Sequence, residues 1–299
     1  MQQWTGRFAP TPSGPLHFGS LVAALGSYLI AKQKQGLWLL RIEDLDPPRE
    51  QPGAASSIIH TLERFGFQWD GEIVYQSQRQ SLYHQALAEL SDKQLTYRCD
   101  CSRKQVLQRN SGVYDGYCRE RNLSPQLEAA VRIKFAAGFE KFNDRILDDC
   151  IFEQPEDLQD FVVLRRDNLF AYQLAVVVDD IEQEINHVVR GADILDSTPR
   201  QNFLYSCFQK RPPLYFHLPL VIDETGQKFS KSKLYPAISE HQASELLCLA
   251  LIHLGQKVVP DLAMGTPSEV LQFAIKSWDI SKVSKTSKKV TLQDLAIEN

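Results

Sequence analysis

Two short segments of this sequence combine residue types that could handle nucleotide phosphates. The first runs from position 7 to position 20 and holds three prolines, two glycines and His17. Prolines and glycines fix a loop whose backbone can approach a ligand closely. A helix that starts after such a loop presents unpaired N–H groups and partial positive charge, which suit a phosphate. His17 could donate to a phosphate oxygen, although a lone histidine at such a place more often belongs to a plain strand-to-helix turn.

The second segment, at positions 228–232, reads Lys-Phe-Ser-Lys-Ser and follows a turn-like stretch at 223–227. Lys228 and Lys231 on a loop could neutralise the charge that develops on a transferring phosphate. Taken alone this pattern is weak, because exposed loops commonly carry such residues.

Three cysteines lie close together in the sequence, at positions 99, 101 and 118. Three thiols within twenty residues could bind Zn²⁺, which prefers tetrahedral coordination by nitrogen and sulfur. No histidine lies between residues 85 and 186, so the fourth ligand could be Tyr114, an aspartate, a distant residue or water. The residues alone leave a metal site and three free thiols as open alternatives. The other three cysteines stand apart, which favours a reducing compartment over a disulfide framework.

The elements that would position these segments alternate along the first hundred residues. The apolar run Leu37–Ile42 is typical of a buried strand, and helical spacing occurs at 21–29, 54–65 and 82–90. This alternation predicts an α/β fold with a parallel sheet and helices on both faces. Residues 99–122 are predicted to form an irregular insertion. Strands are predicted at 130–135, 161–164 and 214–222, helices at 241–254 and 267–278, and either helix or strand at 170–178.

The two phosphate-binding segments occur together, about two hundred residues apart, and this pairing resembles the nucleotide-binding signatures of class I aminoacyl-tRNA synthetases. Positions 17–20, His-Phe-Gly-Ser, stand where that family has its His-Ile-Gly-His type signature, and positions 228–232 stand where it has Lys-Met-Ser-Lys-Ser. The residues at positions 7–14 and 41–46 are similar to those of the glutamyl branch of this family. The resemblance extends over about residues 5 to 235. It implies a Rossmann-like catalytic core with a zinc-bearing insertion and a short helical C-terminal region.

We therefore expect four parts: residues 1–98 as the first half of the catalytic domain, 99–125 as the zinc insertion, 126–235 as the rest of the insertion with the second catalytic half, and 236–299 as a helical end. By resemblance, Arg7 and Tyr172 would hold the side-chain carboxylate of L-glutamate, Arg190 its α-carboxylate, and Glu43 its ammonium. Thr11 stands where the family usually has serine. The full expected glutamate site is Arg7, Phe8, Ala9, Pro10, Thr11, Glu43, Tyr172 and Arg190.

The resemblance also implies which residues bind the nucleotide and the metal. ATP, with Mg²⁺, would contact His17, Gly19, Ser20 and Lys231, and the catalytic residues would be His17, Lys231 and Lys228. One structural Zn²⁺ per chain would be held by Cys99, Cys101, Tyr114 and Cys118.

The expected acceptor is an RNA. Only 67 residues (299 minus 232) follow Ser232, too few for a full anticodon-binding domain, and this resembles a queuosine-modifying branch of the family. The implied reaction places glutamate on queuosine in the anticodon stem-loop of tRNA(Asp). Two alternatives are a conventional glutamyl-tRNA synthetase that charges the 3′ end, and a non-catalytic tRNA-binding paralogue. A pyrophosphate-exchange assay separates enzyme from binder.

Composition is consistent with a cytoplasmic protein. No run of about 18 apolar residues and no signal-like N-terminus occur, so no membrane is expected, and no obligate protein partner is evident. The net charge is −4, so RNA would contact a local patch. Such a patch could be formed by the lysines at 276, 282, 285, 288 and 289. The same lysines could instead be a solvated tail.

Overall fold

The computed structural model describes residues 3–153, 158–222 and 238–289. Its strands are β1 (Thr5–Phe8), β2 (Leu37–Ile42), β3 (Val74–Tyr75), β4 (Thr96–Cys99), β5 (Ala130–Ile133), β6 (Lys141–Asp144), β7 (Asp148–Ile151), β8 (Phe161–Leu164), β9 (His187–Gly191), β10 (Leu214–Leu218), β11 (Val221–Ile222) and β12 (Lys288–Lys289). Its helices are α1 (Phe18–Gln33), α2 (Ala54–Arg64), α3 (Gln80–Asp92), α4 (Arg103–Asn110), α5 (Tyr172–Glu182), α6 (Thr198–Cys207), α7 (Ala243–His253) and α8 (Pro267–Ser277).

A parallel sheet forms the centre of the molecule. Strands β1, β2 and β3 pair in parallel, with Thr5 opposite Leu37, and β9 pairs in parallel with β10. The two groups meet where the Asn186 N–H donates to the Thr5 carbonyl over 3.0 Å. The expected α/β class is confirmed, since parallel strands need helical crossovers such as α1 between β1 and β2.

The main core lies between this sheet and helices α1, α7 and α8. Trp38 on β2 is fully buried, stacks on Phe67, and donates its indole N–H to the Ser27 hydroxyl over 2.9 Å. Helix α1 is apolar on nearly all sides, because it packs against the sheet on one face and against α7 and α8 on another.

A second core lies among α3, α5, α6 and an antiparallel sheet with the order β4, β5, β8. The segment that could have been helix or strand is helix α5, and its middle is entirely buried. Strands β6 and β7 form a separate antiparallel hairpin. Within the described ranges, no helix combines the length and apolarity needed to cross a bilayer.

Two local predictions were wrong. The stretch 99–122 is not irregular throughout, because Ser102 and Gln105 form a reciprocal capping box that starts helix α4. The stretch 214–222 is not one strand, because it divides into β10 and β11 around Pro219, a residue with no N–H for a ladder. The division of the chain into four domains stays a prediction.

Candidate functional site

A cavity of about 510 Å³ opens at the carboxyl ends of β1 and β9, the usual place for ligands in a parallel sheet. Every described residue that the sequence placed in the glutamate or ATP site lines this cavity. These residues are Arg7, Phe8, Ala9, Pro10, Thr11, His17, Gly19, Ser20, Glu43, Tyr172 and Arg190. The other two, Lys228 and Lys231, lie outside the described residues.

The loop between β1 and α1 forms one wall of the cavity. Its backbone is fixed by two bonds to the loop after β2: the Pro10 carbonyl accepts from the Glu43 N–H, and the Pro12 carbonyl from the Gln51 N–H, each over 3.0 Å. His17 caps helix α1, and its Nδ1 accepts from the backbone N–H of Ser20 over 3.2 Å. The first turn of α1 therefore faces the cavity with partial positive charge, which suits a phosphate group.

A buried charge network holds the base of the cavity. Arg7 is 4% exposed and donates to both oxygens of Asp180, over 3.1 Å and 3.3 Å. Arg41 is fully buried and donates to Asp180 over 2.8 Å. Burial alone would raise the pKa of Asp180, but the charges of Arg7 and Arg41 outweigh it and hold that pKa below its ordinary value. The Arg7 charge is therefore largely matched within the protein.

Glu43 and Tyr172 face the cavity from different elements. Burial raises the pKa of the Glu43 carboxyl, and the nearby charges of Arg41 and Arg7 only partly oppose this. A cationic ligand would favour its ionised form, as a substrate ammonium group can. Tyr172 is 38% exposed, and because a phenol is protonated at neutral pH, its hydroxyl can donate.

Arg190 on β9 differs from the other arginines at the site. It is 5% exposed, and its three hydrogen-bond acceptors among the described residues are uncharged: His217 Nε2 over 3.0 Å, Gln201 Oε1 over 2.8 Å and Thr198 Oγ1 over 2.8 Å. No ion pair joins it to a carboxylate in the described part of the chain. A buried cation without an anionic partner can accept an anionic ligand at low desolvation cost.

The cysteine cluster lies beside α4, outside this cavity. The sulfur atoms of Cys99, Cys101 and Cys118 lie within 4.8 Å of one another. The Tyr114 hydroxyl is 3.4 Å from the Cys99 sulfur, and its oxygen accepts from the Cys118 N–H over 3.0 Å. A tetrahedral ion with Zn–S bonds of about 2.3 Å requires sulfur atoms about 3.8 Å apart. The donor set and its spacing therefore fit a metal such as Zn²⁺.

Each sulfur of the cluster also contacts a different arginine. Arg132 Nε lies 3.3 Å from Cys99 Sγ, Arg109 Nη2 lies 3.2 Å from Cys101 Sγ, and Arg121 Nη1 lies 3.5 Å from Cys118 Sγ. The Arg132 guanidinium is also 3.8 Å from the centre of the Tyr114 ring. At Cys99, burial alone would raise the pKa of the thiol, but hydrogen bonds from Tyr114 and Arg132 outweigh it and lower that pKa, which favours the thiolate that binds a metal. At Cys101, by contrast, burial raises the pKa to about 11.

The sequence prediction missed the residues that accept hydrogen bonds from Arg7 and Arg190 behind the cavity. Asp180 interrupts the apolar helix α5, and His217 interrupts the apolar strand β10. A polar residue inside an apolar run is a signal that could have identified both. Gln201 and Thr198 carried no such signal, because helix α6 has mixed composition.

Comparisons with known proteins agree with this geometry. Residues 4–254 match the family model of the class I tRNA synthetases for glutamate and glutamine (E and Q), catalytic domain. A glutamyl-Q tRNA(Asp) synthetase from Pseudomonas putida is 48% identical over 275 residues, which cover 92% of this chain and 91% of that protein. A glutamyl-Q tRNA(Asp) synthetase from Citrobacter koseri is 47% identical, with 95% of each chain covered.

Solved structures establish the same fold. The glutamate-tRNA synthetase from Elizabethkingia anophelis superimposes with a TM-score of 0.81 at 24% identity, over 98% of this chain and 69% of that one. A glutamate tRNA ligase from Elizabethkingia meningosepticum, solved in complex with its amino acid, gives a TM-score of 0.82 at 24% identity, over 98% of this chain and 68% of that one.

Proposed function

Because this chain belongs to the class I tRNA synthetase catalytic domains of the glutamate and glutamine type, and is thus a ligase, we propose that it activates L-glutamate with ATP and transfers the glutamyl group to queuosine in the anticodon of tRNA(Asp). The single observation that carries the choice of amino acid is Arg190, a buried cation that faces the cavity and has only uncharged partners among the described residues. The names of the relatives, which cover nearly this whole chain, support the choice of acceptor.

Glutamate brings two carboxylates and one ammonium group. Arg190 would bind one carboxylate, and Arg7 together with the Tyr172 hydroxyl would bind the other. Glu43 would bind the ammonium group, which offsets the cost of keeping that buried carboxylate ionised. The loop residues Phe8, Ala9, Pro10 and Thr11 would surround the amino acid.

The first chemical step joins the glutamate α-carboxylate to ATP. A carboxylate oxygen attacks the α-phosphorus, and the bond to the bridging oxygen breaks, so pyrophosphate leaves. His17 and the first turn of α1, including Gly19 and Ser20, would hold phosphate oxygens, and Mg²⁺ would accompany the nucleotide. Lys231, assisted by Lys228, would stabilise the charge of the transition state. A hydroxyl of the RNA then attacks the glutamyl carbonyl, and AMP leaves.

The cysteine cluster would hold one structural Zn²⁺ through Cys99, Cys101, Cys118 and Tyr114. When bound, such an ion stabilises the segment between β4 and β5. The site lies apart from the residues that line the cavity, so we assign it no part in acyl transfer.

Labelled glutamate distinguishes the acceptor. The purified protein is incubated with ATP, labelled glutamate and a short anticodon stem-loop of tRNA(Asp) that carries either queuosine or guanosine. We expect label only on the queuosine loop. Label that requires the terminal adenosine of intact tRNA and ignores queuosine would overturn this acceptor in favour of 3′ charging. The absence of glutamate-dependent pyrophosphate exchange, with or without RNA, would overturn the enzymatic function.

A further inference from the structure

The three partners of Arg190 define its orientation. Its guanidinium donates to His217, Gln201 and Thr198, and these come from β10 and α6. Three of the five N–H groups of an arginine are thereby used. Within the described residues, one N–H on each terminal nitrogen is left for a ligand.

The hydrogen bonds also fix the tautomer of His217. Arg190 Nε can only donate, so His217 Nε2 must accept. The proton of the neutral ring therefore sits on Nδ1, which donates to Asp144 Oδ2 over 2.7 Å. Asp144 in turn accepts from the backbone N–H groups of Ile146 and Leu147, each over 2.9 Å. Every link in this chain has a defined donor and acceptor.

We propose that His217, Gln201 and Thr198, with Asp144 behind His217, are positioning residues that orient the Arg190 guanidinium for a substrate carboxylate while leaving its charge unneutralised. The inference rests on the proposed activation of glutamate, and it adds to it a second layer of residues that do not touch the substrate. Uncharged acceptors are central to it, since a carboxylate at the same place would orient the arginine equally well but would compete with the ligand.

Arg7 shows the contrast within the same cavity. Its partner Asp180 is a carboxylate that takes two of its N–H groups, so the field it presents to a ligand is weakened. The chain has thus placed a carboxylate behind one arginine and uncharged groups behind the other. Arg190 accordingly provides the stronger attraction for an anion.

Substitutions at Gln201 separate charge from hydrogen bonding. Gln201→Glu keeps an acceptor for Arg190 but adds a negative charge, and Gln201→Met removes the acceptor at similar volume. We expect each to raise the KM for glutamate in pyrophosphate exchange on the order of tenfold to a hundredfold. Gln201→Met loses a hydrogen bond to a charged group, and Gln201→Glu places a carboxylate that neutralises Arg190 and competes with the ligand. The KM for ATP and kcat should stay within about twofold. His217→Gln, which keeps an acceptor, should be milder than His217→Leu.

Gln256→Met is the matched control. Gln256 is also buried and hydrogen-bonded but lies just after α7, so this change should lower thermal stability without moving the KM for glutamate. An unchanged glutamate KM in Gln201→Glu, in a protein that folds and shows exchange, would overturn the positioning role. A wild-type protein without any glutamate-dependent exchange would instead overturn the proposed function.

Discussion

At the scale of single residues, the buried arginines that line the cavity or lie beneath it are of two kinds. Arg7 and Arg41 share Asp180, and their charges are balanced by buried carboxylates. Arg190 has only uncharged partners among the described residues. This difference makes Arg190 the residue on which recognition of a dicarboxylate should depend most.

Arg190→Ala should raise the KM for glutamate about a hundredfold, because the substitution removes a two-pronged partner and leaves a substrate carboxylate unpaired. Aspartate should be a poor substrate for the wild-type protein, since its shorter side chain cannot reach both arginines. Pyrophosphate exchange with each amino acid measures both effects. Equal rates with aspartate and glutamate would contradict the proposed pocket.

Lys231→Ala should slow glutamate-dependent pyrophosphate exchange by about two to three orders of magnitude, as expected for a charge directed at the transition state. Lys257→Ala, in an exposed loop, is the control and should retain normal exchange. Near-normal exchange by the Lys231 variant would show that this lysine has no catalytic role.

At the scale of elements, helix α4 and the β4–β5 connection depend on the cysteine cluster for much of their core. Apart from Val106, the buried residues of this small cluster are the proposed ligands Cys99, Tyr114 and Cys118. A segment with so few apolar contacts gains its stability from a metal more readily than from packing.

The purified protein should therefore contain one zinc per chain, and Cys101→Ser should lower both zinc content and melting temperature. Cys150→Ser, on strand β7 and outside the cluster, is the control and should retain the metal. Metal analysis by mass spectrometry on reduced protein provides the measurement. Metal-free wild-type protein with the same melting temperature would contradict the proposal.

Strands β1 and β9 contact each other through a buried histidine. His187 is fully buried against Gly6, and burial, followed by the charge of Arg7, lowers the pKa of His187 from 6.5 to about 4. Between these two values the unfolded chain binds a proton that the folded protein does not. Stability should therefore fall as pH decreases through this window.

We expect protonation of His187 in the unfolded chain to lower the free energy of unfolding by about 2 kcal/mol between pH 7 and pH 5. In the His187→Gln variant, the free energy of unfolding should depend correspondingly less on pH. The control variant His60→Gln, at an exposed position, should keep the pH dependence of the wild type. Urea unfolding at the two pH values tests this. Equal pH dependence of the His187 variant and the wild type would show that the ring is not held neutral.

At the scale of the whole molecule, a chain of net charge −4 must bind RNA through a local surface. Lys276 and Lys282 are exposed near α8, whereas Lys285 forms an ion pair with Asp148. The sequence left open whether these lysines form an RNA-binding patch or a solvated tail, and the side chains of Lys288 and Lys289 lie outside the described residues. A patch built on Lys276 and Lys282 would make few phosphate contacts.

A few phosphate contacts give a modest salt dependence. With about three contacts, the KM for the RNA should rise roughly twentyfold to fortyfold between about 50 and 200 mM KCl, while the KM for glutamate, bound in a buried pocket, should change less than about twofold. Lys276→Ala should reduce the slope for RNA. A salt-independent KM for the RNA would contradict phosphate binding at this surface.

The sequence alone determined the features that depend on neighbours in the chain. The strand Leu37–Ile42 follows from its apolar run, the start of α1 follows from the loop that ends at His17, and the cysteine spacing brings three thiols together. In each case the residues that fix the structure lie within about twenty positions, so spacing and turn chemistry suffice.

Only the tertiary structure decided how distant residues combine. Arg7 meets Asp180 across 173 positions, and Arg41 meets the same carboxylate across 139. These contacts arise when β9 docks beside β1, a parallel arrangement that local sequence does not encode. Arg190 meets His217 across 27 positions through the pairing of β9 with β10, whereas Thr198 and Gln201 lie only eight and eleven positions away, on helix α6. The sequence could therefore indicate which residues carry charge, and the fold decided which of those charges remain available to a ligand.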